Sequence, residues 1–269
     1  MTQTDPSIAT PIAVSPKKFT FEEYILYKEE PDVLHELYQG YLIPMATPSA
    51  LHIDICKFLI YHLQKHIAAQ GLDWLVLAEA GVRTEIDGAR IPDIIVCSRN
   101  AWEQVRSRPG SGVLDFGEAP LLILEVASTN WREDFIRKRS EYGSINIPEY
   151  CIVDSSKQRI RILTNPTHET GYEHIDFVPG QQIRFGQLPG LVLSVDDVLS
   201  PPNVEDLFKA ENAQKQQMER QLAEERDRAN QESQRANQES QRANQESQRA
   251  ERLAALLRAR GIDPDGFDE

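Results

Sequence analysis

The sequence predicts an α/β or α+β domain built on a mixed β-sheet flanked by helices, with a long helix at its C-terminus. Three observations predict it. Apolar stretches of strand length outnumber the amphipathic helices, of which there are two main ones. One stretch, LLILEVAS (121–128), is apolar on both faces, as a central strand covered on two sides would be. From about residue 205 the composition turns to helix-forming polar repeats with no core of their own.

TFEEYILYKE (20–29) reads as a short helix, with Thr20 as its N-cap and Glu22 and Glu23 in the first turn. VLHELYQGYLIPM (33–45) reads as a hairpin turning near Gln39-Gly40. HIDICKFLIYHLQKHIAA (52–69) repeats apolar residues at Ile55, Phe58, Leu59, Leu63 and Ile67, the stripe of an amphipathic helix, and Gly71 ends it. Strands follow around 74–79, 81–86 and 92–97, then a loop through RSRPGSG (106–112). The strand at 121–127 leads into a helix over about 131–143. EYCIVD, RIRILT, YEHIDFV and a strand near IRFG complete a body that ends near residue 200, at LSPPN.

The tail carries RANQESQ three times in succession, over residues 228–248. Leu222, Ala229, Ala236, Ala243, Ala250 and Leu257 recur every seven residues, and Ser233, Ser240 and Ser247 fill the other seam position. An Ala/Ser seam buries little apolar area. The repeat is therefore expected as a solvated helix, with a weak coiled coil as the alternative. The expected organisation is a disordered tail over 1–18, a domain over 19–204 and the heptad-repeat helix over 205–269.

Composition narrows the function classes. Forty per cent hydrophobic and 26% charged residues are ordinary for a soluble globular protein. No apolar run approaches the roughly 20 residues a membrane span needs. The N-terminus lacks the layout of a secretory signal. The three cysteines, Cys56, Cys97 and Cys151, are too scattered for a disulfide framework or a metal knuckle, and read as small core residues. A cytoplasmic protein without membrane contact is expected. Formal net charge is −13 for the chain and −3 for residues 206–269, which leaves −10 for the body. So acidic a body excludes tight non-specific nucleic-acid binding unless a local basic surface or a bridging metal intervenes.

Two apolar strands each carry one carboxylate: Glu125 within LLILEVAS and Asp93 after the proline of IPDIIV (91–96). A buried carboxylate needs a cation, a proton or a metal, and two facing acids raise each other's pKa unless a cation sits between them. Oxygen ligation by paired carboxylates suits Mg²⁺ or Mn²⁺. A structural ion pair with Arg83 or Arg90 is the competing reading. Downstream, Asp134, Lys138 and Tyr142 are spaced i, i+4, i+8 and share one helical stripe, which aims Lys138 back toward the end of the Glu125 strand. Arg132, Arg137 and Arg139 add a local basic surface. Glu36, in LHELYQG, is a third acid in an apolar hairpin, and His52 stands at the start of the long helix.

Pro92-Asp93, then Glu125-x-Ala127 on an apolar strand, Asp134-x-x-x-Lys138-x-x-x-Tyr142 and PEYCIVD (148–154) together resemble the Uma-type endonuclease family, within the PD-(D/E)XK restriction-nuclease superfamily. Glu36, Gly40 and Met45 match its N-terminal segment, His52 the histidine that follows, and RGIDPDG (260–266) its usual ending. The resemblance covers about residues 20–200 and that ending. It implies a restriction endonuclease-like core. One departure is informative: the superfamily's lysine would stand at position 127, where this chain has Ala127, and the resemblance places it on the helix instead, at Lys138.

These readings combine into a Mg²⁺- or Mn²⁺-dependent phosphodiesterase acting on DNA. Asp93 and Glu125 hold the metal. Lys138 orients water or offsets charge on the phosphate, and Glu36 serves as a further ligand or a base. His52, Asp134 and Tyr142 have supporting roles, against readings as a helix-start residue, a salt bridge and a packing residue. The alternative is a degenerate nuclease-fold module that binds nucleic acid or a protein partner. Self-association through the C-terminal helix or the nuclease domain is compatible with either.

Overall fold

Thr20 caps the first helix through a capping box: the Glu23 N–H donates to Thr20 Oγ1 at 3.2 Å and the Thr20 N–H to Glu23 Oε2 at 3.0 Å. Residues 17–28, 33–127, 132–167 and 171–261 are described in the computed structural model; most of the expected N-terminal tail and of the RGIDPDG ending lies outside them. In chain order the elements are α1 (Phe21–Ile25), β1 (His35–Tyr38), β2 (Tyr41–Pro44), α2 (Ala50–Gln70), β3 (Trp74–Leu77), β4 (Gly81–Glu85), β5 (Gly88–Arg90), β6 (Ile94–Ser98) and α3 (Arg99–Ser107). Then come β7 (Val113–Leu114), β8 (Leu122–Val126), a π-helical segment (Glu133–Lys138) continued by α4 (Arg139–Ser144), β9 (Glu149–Asp154), β10 (Arg159–Thr164), β11 (Glu173–Phe177), β12 (Gln182–Arg184), β13 (Val192–Ser194), α5 (Val195–Leu199) and α6 (Val204–Ala259).

The hairpin turns where expected. Gln39 and Gly40 both take positive φ, 50° and 83°, the requirement of a two-residue turn matching strand twist. A side chain at position 40 would press within 3.2 Å of the Phe19 carbonyl oxygen, so glycine is needed there twice over. In α2 the expected stripe of Ile55, Phe58, Leu59, Leu63 and Ile67 is buried. Ser49 caps the helix, and Gly71 ends it in the left-handed conformation at φ 63°.

The strands form three sheets, ordered β2-β1-β5-β4-β7, β11-β10-β9-β8-β6-β3 and β12-β13. The two larger sheets are mixed: β4 runs parallel to β7 and β8 parallel to β9, while every other pair is antiparallel. Joining parallel neighbours needs a crossover, and the π segment with α4 supplies it between β8 and β9. All five residues of β8 are buried, as its two-faced apolar sequence requires. One core cluster gathers Val82, Ile95, Ile123, Tyr142, Tyr150 and Ile152 around this strand.

Some elements depart from the sequence reading. Helix α1 ends at Ile25, short of residue 29. Helix α3, strands β5, β7 and β13 and helix α5 were not foreseen; α3 is only nine residues long, and its apolar face is limited to Ala101, Trp102 and Val105. The expected α-helical winding is replaced over Glu133–Lys138 by a π turn.

The chain divides into two compact units, Met1–Val204 and Glu205–Glu269. Helix α6 runs unbroken through all three repeats and has no buried residue. Among the described residues no helix is long and apolar enough to cross a membrane. The buried hydrophobic residues run from Phe21 to Leu199, so truncation after Val204 removes none of them. The shortened chain is expected to keep one cooperative thermal transition by circular dichroism; its loss would show that the tail is needed for folding.

Candidate active site

Strand β8 sits between β6 and β9, and its partner β6 begins one residue after Asp93. The antiparallel register pairs Ile94 with Leu124, and one further step along it brings Asp93 opposite Glu125. Asp93 is fixed at both oxygens: Oδ2 accepts the Val126 N–H at 2.7 Å and Oδ1 lies 3.0 Å from His52 Nε2. Glu125 is 3% exposed. Its Oε1 accepts from Lys138 Nζ at 2.8 Å and from the Tyr142 hydroxyl at 3.0 Å. The helix after β8 therefore turns Lys138 and Tyr142 back onto the strand it left. Local π winding of this kind is frequent at functional sites.

Lys138 serves more than one acid. Its ammonium lies 3.6 Å from both Glu36 Oε1 and Asp134 Oδ1. Glu36, on β1, is held in turn by the Ile91 N–H at 3.1 Å and by Arg90 at 2.8 Å. Arg90 is 2% exposed and spans three acids: Glu36, Glu133 at 2.9 Å and Glu141, to which its Nε donates at 2.7 Å. The Thr84 hydroxyl also donates to Glu141, at 3.0 Å. Side chains from β1, β4, β5, the β6 approach, β8 and the crossover helix thus form one polar network inside an apolar body.

The charges in this network do not balance. The two buried cations, Lys138 and Arg90, are paired with Glu36, Glu125, Glu133, Asp134 and Glu141, and Asp93 lies beside Glu125 with His52 as its partner. Burial pushes the Glu125 carboxyl well above its ordinary range; Lys138 opposes the shift, while Asp93 and Asp134 reinforce it. Burial also pushes Glu36 up, but Lys138, Arg90 and the Ile91 N–H outweigh it and leave Glu36 below its ordinary value. Burial alone would lower Lys138, yet Glu125, Glu36 and Asp134 hold it above the usual ammonium range. Tyr142 is raised by burial and by Glu125, so it stays a neutral donor. A surplus of carboxylates beside the partly exposed Asp93 is what a hard divalent cation would neutralise. Carboxylate oxygens of this kind are donors that suit Mg²⁺ or Mn²⁺.

All seven residues singled out in the sequence, Glu36, Asp93, Glu125, Lys138, His52, Asp134 and Tyr142, fall within this network or at its rim. Tyr142 does more than pack, since its hydroxyl meets Glu125. The expected basic surface is largely engaged: Arg137 pairs with Glu133 at 3.1 Å and lies over the Tyr38 ring, and Arg139 donates to the Tyr172 carbonyl. Arg83, weighed as an ion-pair partner for the two acids, sits instead against the Phe21 and Phe116 rings and pairs with Asp115 at 3.1 Å. Sequence reasoning missed Glu141 and the central part of Arg90. It also missed Cys56, which lies one helical turn beyond His52 beside Asp93. The i, i+4 spacing of His52 and Cys56 was the available signal. Burial, Asp93 and Glu125 together push the Cys56 thiol up.

Acids on neighbouring strand positions of a mixed sheet, with Lys138 against Glu125, are the arrangement that the resemblance to restriction endonucleases implied. The family model "Putative restriction endonuclease" (Uma2) matches residues 21–196, and the chain belongs to that family. Among solved structures it is similar to "a putative nuclease belonging to DUF820" from Anabaena variabilis ATCC 29413. The identity is 18% and the TM-score 0.55, over 68% of this chain and 98% of the other, a likeness of fold. A weaker match, with 18% identity and a TM-score of 0.27, covers 45% of this chain and 13% of the type IIG restriction endonuclease BpuSI. No curated protein matches the chain.

Proposed function

We propose that this chain is a metal-dependent endonuclease that hydrolyses DNA phosphodiester bonds in the cytoplasm, using Mg²⁺ or Mn²⁺ held by Asp93 and Glu125. The observation that carries the reading is the buried carboxylate surplus around Glu125, with a single lysine between three acids. When bound, the metal supplies Lewis-acid polarisation of the scissile phosphate and a water of lowered pKa. His52 and the Val126 N–H hold the Asp93 carboxylate in place, and Tyr142 does the same for Glu125. Lys138 stays protonated and offsets charge that builds on the phosphate. Glu36, anchored by Arg90, keeps the ammonium in the pocket. Substrate contact by so acidic a body rests on these local charges rather than on a broad basic face.

A degenerate nuclease-fold module that binds nucleic acid or a protein partner is the second reading. The 2.8 Å Lys138–Glu125 ion pair favours it, since this pair satisfies both groups without an ion. Plasmid nicking in Mn²⁺ separates the two readings. Wild-type protein is expected to nick and Glu125→Ala to be inactive; a wild type that never nicks, whatever the divalent ion, supports the binding module. Self-association through the tail or the nuclease domain is compatible with both readings.

Affinity for Mn²⁺ is expected to rise with pH. The folded, metal-free chain holds a proton on Glu125 above the pH at which an unfolded carboxylate has lost it. Metal-free stability therefore falls as pH climbs from the ordinary carboxylate range through the raised value, and binding must displace that proton until the value is passed. Calorimetry at acidic and alkaline pH checks this; equal affinity at both would remove Glu125 from the ligand set.

A further inference from the structure

Helix α2 carries a donor set unlike the all-oxygen pair of Asp93 and Glu125. His52 and Cys56 stand i, i+4 on one face of the helix, and Asp93 approaches them from the strand side. A His52 ring nitrogen, the Cys56 sulfur and an Asp93 carboxylate oxygen all lie within 4.8 Å of one another. Two donors on one tetrahedral zinc ion, with bonds of roughly 2.0 to 2.3 Å, stand about 3.3 to 3.6 Å apart. The His52 and Asp93 donors are already 3.0 Å apart, and side-chain rotation of up to about 1 Å closes the set. All three residues are half-buried, and the His52 and Asp93 side chains keep 21% and 16% of their exposure, so an ion has a way in. Nitrogen and sulfur donors suit a borderline-soft cation, whereas Mg²⁺ takes oxygen donors and keeps its waters.

We infer that His52, Cys56 and Asp93 form a site for Zn²⁺, separate in chemistry from the hydrolytic pair but sharing Asp93 with it. Three protein ligands leave the fourth tetrahedral position to water. Coordination replaces the thiol proton, which leaves to solvent, so the bound sulfur is a thiolate. Because Asp93 serves both sites, zinc held by α2 draws that carboxylate away from the Mg²⁺ site. Zinc is then an inhibitor of the nuclease; this consequence rests on the function proposed above, whereas the binding site does not.

The test uses the full-length chain stripped of metal and titrated with Co²⁺, which takes zinc sites and reports a thiolate ligand by a sulfur-to-metal charge-transfer band in the near ultraviolet. Wild type is expected to show that band, to lose it when Zn²⁺ is added and to keep it in millimolar Mg²⁺. Cys56→Ala is expected to lose the band and to bind Zn²⁺ more than tenfold more weakly by competition with a chromogenic chelator. If the alanine variant melts poorly, Cys56→Ser keeps the side-chain volume and is expected to lose the band in the same way. A wild type without the band, or a Cys56 variant that retains it, overturns the site. For the inhibitory consequence, cleavage in Mg²⁺ with and without added Zn²⁺ is compared within each protein. Suppression of wild type with little suppression of Cys56→Ala is expected, and equal suppression of both overturns the sharing of Asp93. A chain that cleaves nothing leaves the optical titration to decide the site alone, so failure of the nuclease reading is distinguishable from failure of this one.

Discussion

Arg90→Ala is expected to lower the unfolding free energy by about 3–5 kcal/mol, the cost of breaking a buried ion pair from one side. Its guanidinium is almost fully buried and holds Glu36, Glu133 and Glu141 together. Glu36 and Glu141 are themselves buried, so alanine takes the cation from Glu141 and leaves Glu36 with Lys138 alone. Lysine is no substitute, because a point charge cannot reproduce a fork that reaches three acids. Urea unfolding of wild type and variant measures the loss. Its pH dependence has a definite sign. Glu36 sits below the ordinary carboxylate value in the folded chain, so its stabilising contribution is present above that range and is lost as pH falls through the lowered value. The gap between wild type and Arg90→Ala should therefore narrow on acidification. A loss below about 1 kcal/mol near neutral pH would place the pair among interactions of surface strength.

Lys138→Ala is expected to reduce DNA cleavage on the order of a hundred- to a thousandfold, the usual cost of removing one electrostatic stabiliser. Metal binding should survive, because the lysine is not a ligand, and should tighten, because the carboxylate surplus grows. The metal-free variant is expected to be less stable than wild type and to regain much of the difference in Mn²⁺, since three acids lose their shared cation. Position 127 lies two residues beyond Glu125 and shares its side of the strand direction, so Lys138→Ala with Ala127→Lys should recover part of the activity. Recovery stays partial because a misplacement of about 1 Å costs on the order of a hundredfold. Cleavage by Lys138→Ala at the wild-type rate would remove the lysine from the mechanism.

Much of the site was legible because it is written in local contrast. A carboxylate amid LLILEVAS and another in IPDIIV stand out by being apolar stretches interrupted, and one helical stripe ties Asp134, Lys138 and Tyr142 together. Hairpin and long helix were legible for similar reasons, a turn of two residues and a regular apolar period. Arg90 and Glu141 were not, because their partners are 51 residues apart in sequence and neither looks unusual among its neighbours. Only the packing of β5 against the crossover helix makes them a pair. Cys56 was hidden differently: a lone cysteine on an apolar face reads as a small core residue until Asp93 is brought beside it. The π turn leaves no trace in composition, since its residues satisfy an α-helical stripe equally well.

The three identical copies of RANQESQ in α6 make its length a matter of whole units. Each copy adds or removes about 10.5 Å of helix, seven residues at 1.5 Å, and turns the faces by only about 20°. Length is thereby a quantity this segment can vary in discrete steps while the chemistry presented along each side is preserved.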